Sequence, residues 1–344
     1  MNAVAITEQA GPGSARVMDL PEPIAGAGEV ALRVRAAALN HLDLWTLSGS
    51  LPIEIEFPFI LGADAAGEIV DVGEGVEGLR PGARVIVNPG LSCGRCERCR
   101  AGEQSECTTF RMLGEHRSGT LAELITVPAS NVFPFPGHLS FEQAAALGVT
   151  FMTAYRMLFT KGRLLPGEWV LVTGIGGGLA LSLLQLARHV AGRVYVTSSS
   201  QAKLDRAKGL GADGGIDYRS DDVGKAVRKL TSKRGVDLVV DSAGGDSVDG
   251  SLRALRQGGR IVIAGATAGS VAEFNVRRLF WNQLSIIGST MASDADVSDM
   301  LRMVAGARIE PVIDEAFALE DAPAAIARLA SGEQFGKIVV RVSD

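Results

Sequence analysis

The stretch from Val170 to Ala187, VLVTGIGGGLALSLLQLA, runs from a short apolar strand through a glycine cluster straight into an apolar helix. Few folds accept that order. A buried strand that turns sharply into a helix is the opening unit of a parallel α/β sheet. The sequence that follows keeps the alternation. RVYVTSSS (193–200) reads as a second strand and QAKLDRAKGLGAD (201–213) as a helix. VDLVVDSAGG (236–245), GGRIVIAGA (258–266) and LSIIGST (284–290) read as further strands. The expectation is a doubly wound parallel sheet. The first helix is expected to run through LALSLLQLARHVAG and stop at Gly192.

A glycine turn at a strand-to-helix junction lets backbone approach a pyrophosphate, and the helix start offers free N–H groups and a positive dipole end. The usual G-x-G-x-x-G/A pattern is met imperfectly. Gly174 and Gly176 supply G-x-G, but Leu179 stands in the last place. Gly177 and Ala180 give G-x-x-A in the other register. A dinucleotide site at Gly176, Gly177, Gly178 and Leu179 is expected. The second strand selects the cofactor. An NAD site places an acid at its end for the ribose 2′-hydroxyl. This strand ends in Ser198, Ser199 and Ser200, with Lys203 next and Arg206 one helical turn on. Small hydroxyls and cations suit a 2′-phosphate, so NADP(H) is expected. A solvated helix start with a surface lysine is the plainer alternative.

Before Leu165 the texture is different. EVALRVRAAAL (29–39) alternates like a strand, and GEIVDVGEGVEGLRPGARVIV (67–87) reads strand, glycine turn, strand. VPASNVFPFPGHLS (127–140) reads as a boundary connection, and Ser140 as the N-cap of a helix in SFEQAAALG. The tail holds two helices, DADVSDMLRMVAGA and APAAIARLASG, and a last strand, KIVVRV. Net charge is −5 without a long basic run, which argues against nucleic acid or an anionic membrane as partner. No secretory leader or bilayer-length apolar run is read, so a cytoplasmic protein with a small-molecule substrate is expected.

Every cysteine of the chain lies in CGRCERCRAGEQSEC, at Cys93, Cys96, Cys99 and Cys107. The spacing C-x2-C-x2-C-x7-C in an unsecreted chain favours metal over disulfides. Four thiolates close a tetrahedral zinc shell and leave no position for water or substrate. One structural zinc per chain is expected.

Several segments together resemble the medium-chain dehydrogenase/reductase superfamily, which includes zinc alcohol dehydrogenases and zinc-free quinone and enoyl reductases. They are AAALNHLDLW, PFILGADAAGEIVDVGEGV, the cysteine lobe, GVTFMTAYRML, the glycine turn, GGRIVIAG and FGKIVV. The resemblance implies an α/β architecture: a GroES-like β domain from residues 1–150 and 287–344, its zinc lobe at about 90–110, and a Rossmann NADP-binding domain at 151–286. It also places the catalytic zinc ligands of the family at Asn40, Ala63 and Val149, none of which is the required cysteine or histidine. Trp45 stands where the zinc enzymes carry a proton-relay histidine.

With those ligands gone, the resemblance implies hydride transfer to a substrate that spreads its own charge: an enone, a quinone or an enoyl thioester. The alternatives are a zinc-type alcohol dehydrogenase and a non-enzymatic NADPH-binding protein. The implied catalytic residues are Asn40, Asp43 and Thr150. Asp43 and Asp64 would fix Asn40, His41 and the loop, or be ordinary turn carboxylates. Cofactor contacts are implied at His41, Thr153, Ser242, Gly265, Ala266 and Thr267. Tyr218 would lie beside a 2′-phosphate or pack under a helix. Gly336 and Lys337 would touch the cofactor, with Lys337 solvated as the alternative. Arg277 and Arg278 would meet an anionic substrate tail or form a surface pair. The strand LSIIGST implies a homodimer, or a tetramer built from it.

Overall fold

A computed structural model describes residues 1–343. The chain forms two compact units, one from Met1–Thr150 with Ser293–Asp344 and one from Phe151–Ala292. The second crossing falls after Ala292, six residues beyond the expected position after 286. The cause is the strand Ser285–Gly288, which belongs wholly to the inner unit's sheet.

The inner unit has six parallel strands: β1 Trp169–Val172, β2 Arg193–Ser198, β3 Gly214–Asp217, β4 Val236–Asp241, β5 Leu255–Ile263 and β6 Ser285–Gly288. Their order is β3-β2-β1-β4-β5-β6, the doubly wound arrangement whose ligand crevice opens where the order reverses beside β1. Every residue of β4 is buried, as expected for a central parallel strand covered on both faces. The helix after the glycine turn spans Gly178–Ala187 and is buried from Ala180 to its end. It stops five residues before Gly192. The chain turns through Arg188–Ala191, and the Gly192 N–H is taken by Glu168 O at 2.8 Å.

The outer unit is mainly antiparallel. Its seven-stranded sheet is organised around Glu29–Ala38, which pairs with Asp64–Val72, Leu124–Pro128 and Lys337–Arg341. The last strand of the chain is thus hydrogen-bonded into the sheet begun by residues 29–38. Apolar side chains from both ends, among them Val34, Leu121, Ile326 and Val340, share one buried core. Ser140 does cap a helix, Phe141–Ala145, in a reciprocal arrangement with Gln143. The Pro-rich piece before it is no boundary, because Val132–Pro134 pairs with Arg84–Val87 inside the outer sheet. The chain leaves this unit within the helix Gly148–Tyr155, which continues as a π-helical turn over Arg156–Lys161.

Candidate functional site

Strand register brings three distant segments of the outer unit together. Ala38 lies opposite Asp64 on one side and Val339 on the other. Asn40, two residues beyond Ala38, therefore meets both Asp64 and Lys337. The Lys337 ammonium donates to Leu39 O at 2.7 Å, Asn40 Oδ1 at 2.7 Å and Asp64 Oδ2 at 2.9 Å. An ammonium has three donors, so all are spent. Asn40 Nδ2 donates to Asp64 Oδ2 at 2.9 Å and to Ala38 O at 3.3 Å. A carboxylate on one side and an ammonium on the other admit a single orientation of this amide. The other Asp64 oxygen accepts the Val149 N–H at 2.6 Å, at the start of the helix that carries Thr150. Asp64 and Lys337 are 0% and 4% exposed, so the ion pair is fully desolvated.

Asp43 stands beside this group and is fully buried. It accepts from Asn40 N–H at 2.7 Å and Gly62 N–H at 2.9 Å. Burial pushes its carboxyl up to about 6, against the downward pull of those two N–H groups and of Lys337. Ala63, next to Gly62, is buried and offers no ligand atom. The His41 ring lies edge-on to Trp45, with centroids 4.9 Å apart. Thr150 is buried and donates to Ala146 O at 3.4 Å.

These contacts revise two expectations. Lys337 is not solvated. The antiparallel register points its ammonium at Asn40 and Asp64. Asp64 is no ordinary turn carboxylate, since it holds Asn40, Lys337 and a helix start at once. Nothing in the sequence near Asp64 marks a partner 273 residues away. Only the pairing of the first long strand with the last reveals it.

The four cysteines also lie in the outer unit. Their sulfurs all fall within 4.8 Å of one another, with Cys96–Cys99 at 3.5 Å and Cys93–Cys99 at 4.0 Å. A tetrahedron with zinc–sulfur bonds of ~2.3 Å needs sulfurs roughly 3.8 Å apart. Backbone N–H groups of Cys93, Cys96 and Cys99 point at sulfurs of the cluster at 3.3–3.5 Å. The donor set therefore fits zinc. Among the described residues no other group of three or more His, Cys, Asp and Glu side chains could hold a metal.

In the inner unit, the expected nucleotide contacts gather at the carboxyl ends of the strands. A β-carbon at Gly176 would stand 2.6 Å from Lys203 Cδ, so the lysine stem lies directly over the glycine turn. Ser198 Oγ donates to Ile175 O at 3.3 Å, and Ser200 caps the helix Gln201–Gly209. The Tyr218 N–H reaches Ser198 O at 3.1 Å, and its side chain is half exposed rather than packed under a helix. Thr153 is buried, with its hydroxyl 3.9 Å from Met291 Sδ. Ser242 follows β4, and Gly265, Ala266 and Thr267 follow β5. Arg278 pairs with Asp249 at 3.0 Å, which makes it half of a surface ion pair.

A GroES-like β unit with a cysteine lobe, joined to a 3-2-1-4-5-6 parallel sheet, defines a dehydrogenase/reductase of the zinc alcohol dehydrogenase type. The alcohol dehydrogenase GroES-like domain matches residues 26–137, and the zinc-binding dehydrogenase domain matches residues 178–306. The acryloyl-coenzyme A reductase of Metallosphaera sedula is 31% identical, over 94% of this chain and 95% of its own. A crystal structure of an NAD-dependent alcohol dehydrogenase is 43% identical, covers 100% of both chains and superposes with a TM-score of 0.93. A crotonyl-CoA carboxylase/reductase solved in complex with NADP is 27% identical over 99% of this chain and 94% of that one, with a TM-score of 0.91. The chain belongs to the medium-chain dehydrogenase/reductase superfamily, and it is an oxidoreductase.

Proposed function

We propose that the protein is an NADPH-dependent reductase of activated double bonds, acting on an enone, a quinone or an enoyl thioester without a catalytic metal. The observation that carries this reading is the closed Asn40–Asp64–Lys337 network. Asn40 is one of the three positions where the resemblance puts a catalytic zinc ligand, and here it is tied to a carboxylate and a buried ammonium. The donors there are an amide and two carboxylates, and a buried ammonium already balances one carboxylate.

Without a Lewis acid, a simple ketone is a poor substrate, because its alkoxide concentrates charge. Hydride added to the β-carbon of an enone sends the π electrons to the carbonyl oxygen as an enolate. A proton from water then reaches the α-carbon. When bound, NADPH supplies the hydride. Gly176, Gly177, Gly178 and Leu179 are assigned to its pyrophosphate, and Ser198, Ser199, Lys203 and Tyr218 to its 2′-phosphate. His41, Thr153, Ser242, Gly265, Ala266 and Thr267 are assigned to the rest of the cofactor. Thr150, whose hydroxyl donates to Ala146 O, is assigned to the substrate side of the nicotinamide. Asn40 is held at a fixed orientation by Lys337 and Asp64. The names of the acryloyl- and crotonyl-CoA relatives support this substrate class.

The cysteine lobe is assigned one structural zinc. A second copy is proposed to pair along β6. That strand is hydrogen-bonded on one side only, to β5, among the described residues. Val276, Phe280 and Trp281, in the helix just before it, are more than half exposed. Size-exclusion chromatography with light scattering should give a dimer, and Trp281→Asp should shift it toward monomer.

The alcohol dehydrogenase reading is favoured by the name of the 43% identical neighbour. The test is direct. NADPH oxidation is followed with a small enone, a quinone and an enoyl thioester, and NADP reduction with ethanol or propanol. Fast alcohol turnover that tracks a second bound metal would overturn the proposal. For the cofactor, Lys203→Ala should weaken NADPH roughly tenfold or more, as expected for a lost charge-assisted contact, and leave NADH unchanged. Equal native affinity for NADPH and NADH would refute the preference.

A further inference from the structure

The loops after β4 and β5 are joined backbone to backbone. Ala268 N–H donates to Ala243 O at 2.8 Å, Ala264 N–H to Asp241 O at 3.0 Å, and Gly244 bridges Gly269. A β-carbon at Gly265 would stand 2.3 Å from Ser242 O, so only glycine allows this approach. Beneath the joined loops lies Asp241, the last residue of β4, with no exposed surface. One of its oxygens accepts the N–H groups of Ala243 at 2.8 Å and Gly244 at 3.0 Å. The other accepts the hydroxyls of Ser247 at 2.7 Å and Ser251 at 3.1 Å. Four donors converge on this carboxylate, and no cation is paired with it among its hydrogen-bond partners. Buried charge of this kind is costly unless its donors are fixed, so the carboxylate dictates the path of residues 242–247.

We infer that Asp241 is a positioning residue for cofactor binding: its carboxylate clamps the 242–247 turn, and through it the 264–269 loop, against which the nicotinamide half of the cofactor is held. Asp241 itself touches no cofactor. The inference rests on the reading of these two loops as the cofactor channel. It adds that one buried carboxylate builds that wall, separately from the Ser198–Lys203 end that recognises the 2′-phosphate.

The separation supplies the test. Binding of NADPH and of adenosine 2′,5′-bisphosphate, which lacks the nicotinamide half, is measured by calorimetry on the full chain. Asp241→Ala should weaken NADPH tenfold or more and change the bisphosphate less than twofold. Asp241→Asn keeps an acceptor oxygen for the two backbone N–H groups and should restore most of the loss. Ser247→Ala, a milder change that guards against a misfolded alanine variant, should weaken NADPH about threefold with the bisphosphate again unmoved. Amide exchange at Ala243 and Gly244 should speed up in the same order. If both ligands weaken together in Ser247→Ala, or if NADPH binding ignores all three changes, the inference is wrong. If the native chain binds the bisphosphate but gains nothing from the nicotinamide half, the channel assignment fails and the inference fails with it. If the native chain binds neither ligand, the cofactor reading itself falls.

Discussion

Two clusters of the outer unit answer the same electrostatic problem in opposite ways. At Cys93, Cys96, Cys99 and Cys107, backbone N–H groups and close-set sulfurs assemble negative charge that an ion from outside must balance. The Cys99 and Thr108 N–H groups draw Cys96 down to about 6, while burial pushes Cys99 up to about 11. The thiols alone cannot all ionise together near neutrality. Around Asn40 the chain carries its own cation. Lys337 sits among Leu39 O, Asn40 Oδ1 and Asp64 Oδ2, and needs nothing further. The comparison teaches that metal dependence can be split within one unit: one cluster fitted to an ion, the other complete without one.

The largest expected effect breaks the lobe. Structural zinc contributes folding energy on the order of 10 kcal/mol in small zinc modules. Cys96→Ala should therefore abolish zinc retention and loosen residues 90–110, seen as faster proteolysis there. Elemental analysis of the native chain should give one zinc, and two tightly held ions would sink the comparison. A mild chelator that leaves the lobe intact should leave turnover intact.

The next effect breaks the internal cation. Lys337→Met strands Asp64 as a buried, unbalanced carboxylate, a change that costs about 3–5 kcal/mol in comparable pairs. Replacing both partners, Lys337→Met with Asp64→Leu, should cost less than the sum of the two single changes, measured by denaturant unfolding in a double-mutant cycle. Asn40 loses its fixed amide in either single variant, so turnover should fall more than cofactor affinity. Additive stability losses would show that the two side chains do not act as a pair.

How far each cluster could be read in advance follows from chain distance. The lobe lies within 15 consecutive residues, Cys93 to Cys107, so spacing alone displayed its ligand set. The parallel sheet was legible because strand and helix patterns alternate over short repeats. The lysine network was not legible, because its members come from the ends of three strands that meet only through register. Lys337 accordingly read as a cofactor contact or a solvated side chain. The helix ending at Ala187 rather than Gly192 was missed because RHVA continues the helical composition. The helix instead closes in a tight turn, with Val190 N–H on Ala187 O, before Gly192 N–H goes to Glu168 O. Asp241 carried no signal beyond ending an apolar strand.

Proton linkage separates the clusters most finely. Asp43 has a folded-state pKa of about 6, raised chiefly by burial, against roughly 3.9 for an unfolded aspartate. Below about pH 4 it is protonated in both states and this contribution to stability is complete. Between about pH 4 and 6 the unfolded chain releases the proton while the folded chain keeps it, so stability falls as pH rises. The total is about 3 kcal/mol, and it levels off above pH 6. The zinc lobe has the opposite slope, because acid protonates thiolates and releases the metal. Unfolding of the native chain and of Asp43→Asn, compared from about pH 4 to 6 in metal-free buffer, should isolate the Asp43 slope as the difference between them, because the other titrating groups are common to both. Lys337 pulls the Asp43 pKa down, so Lys337→Met should carry the falling limb above pH 6. If the native slope survives in Asp43→Asn, another group titrates there. If Lys337→Met leaves the limb where it was, the ammonium does not reach Asp43, and its influence stops at Asn40 and Asp64.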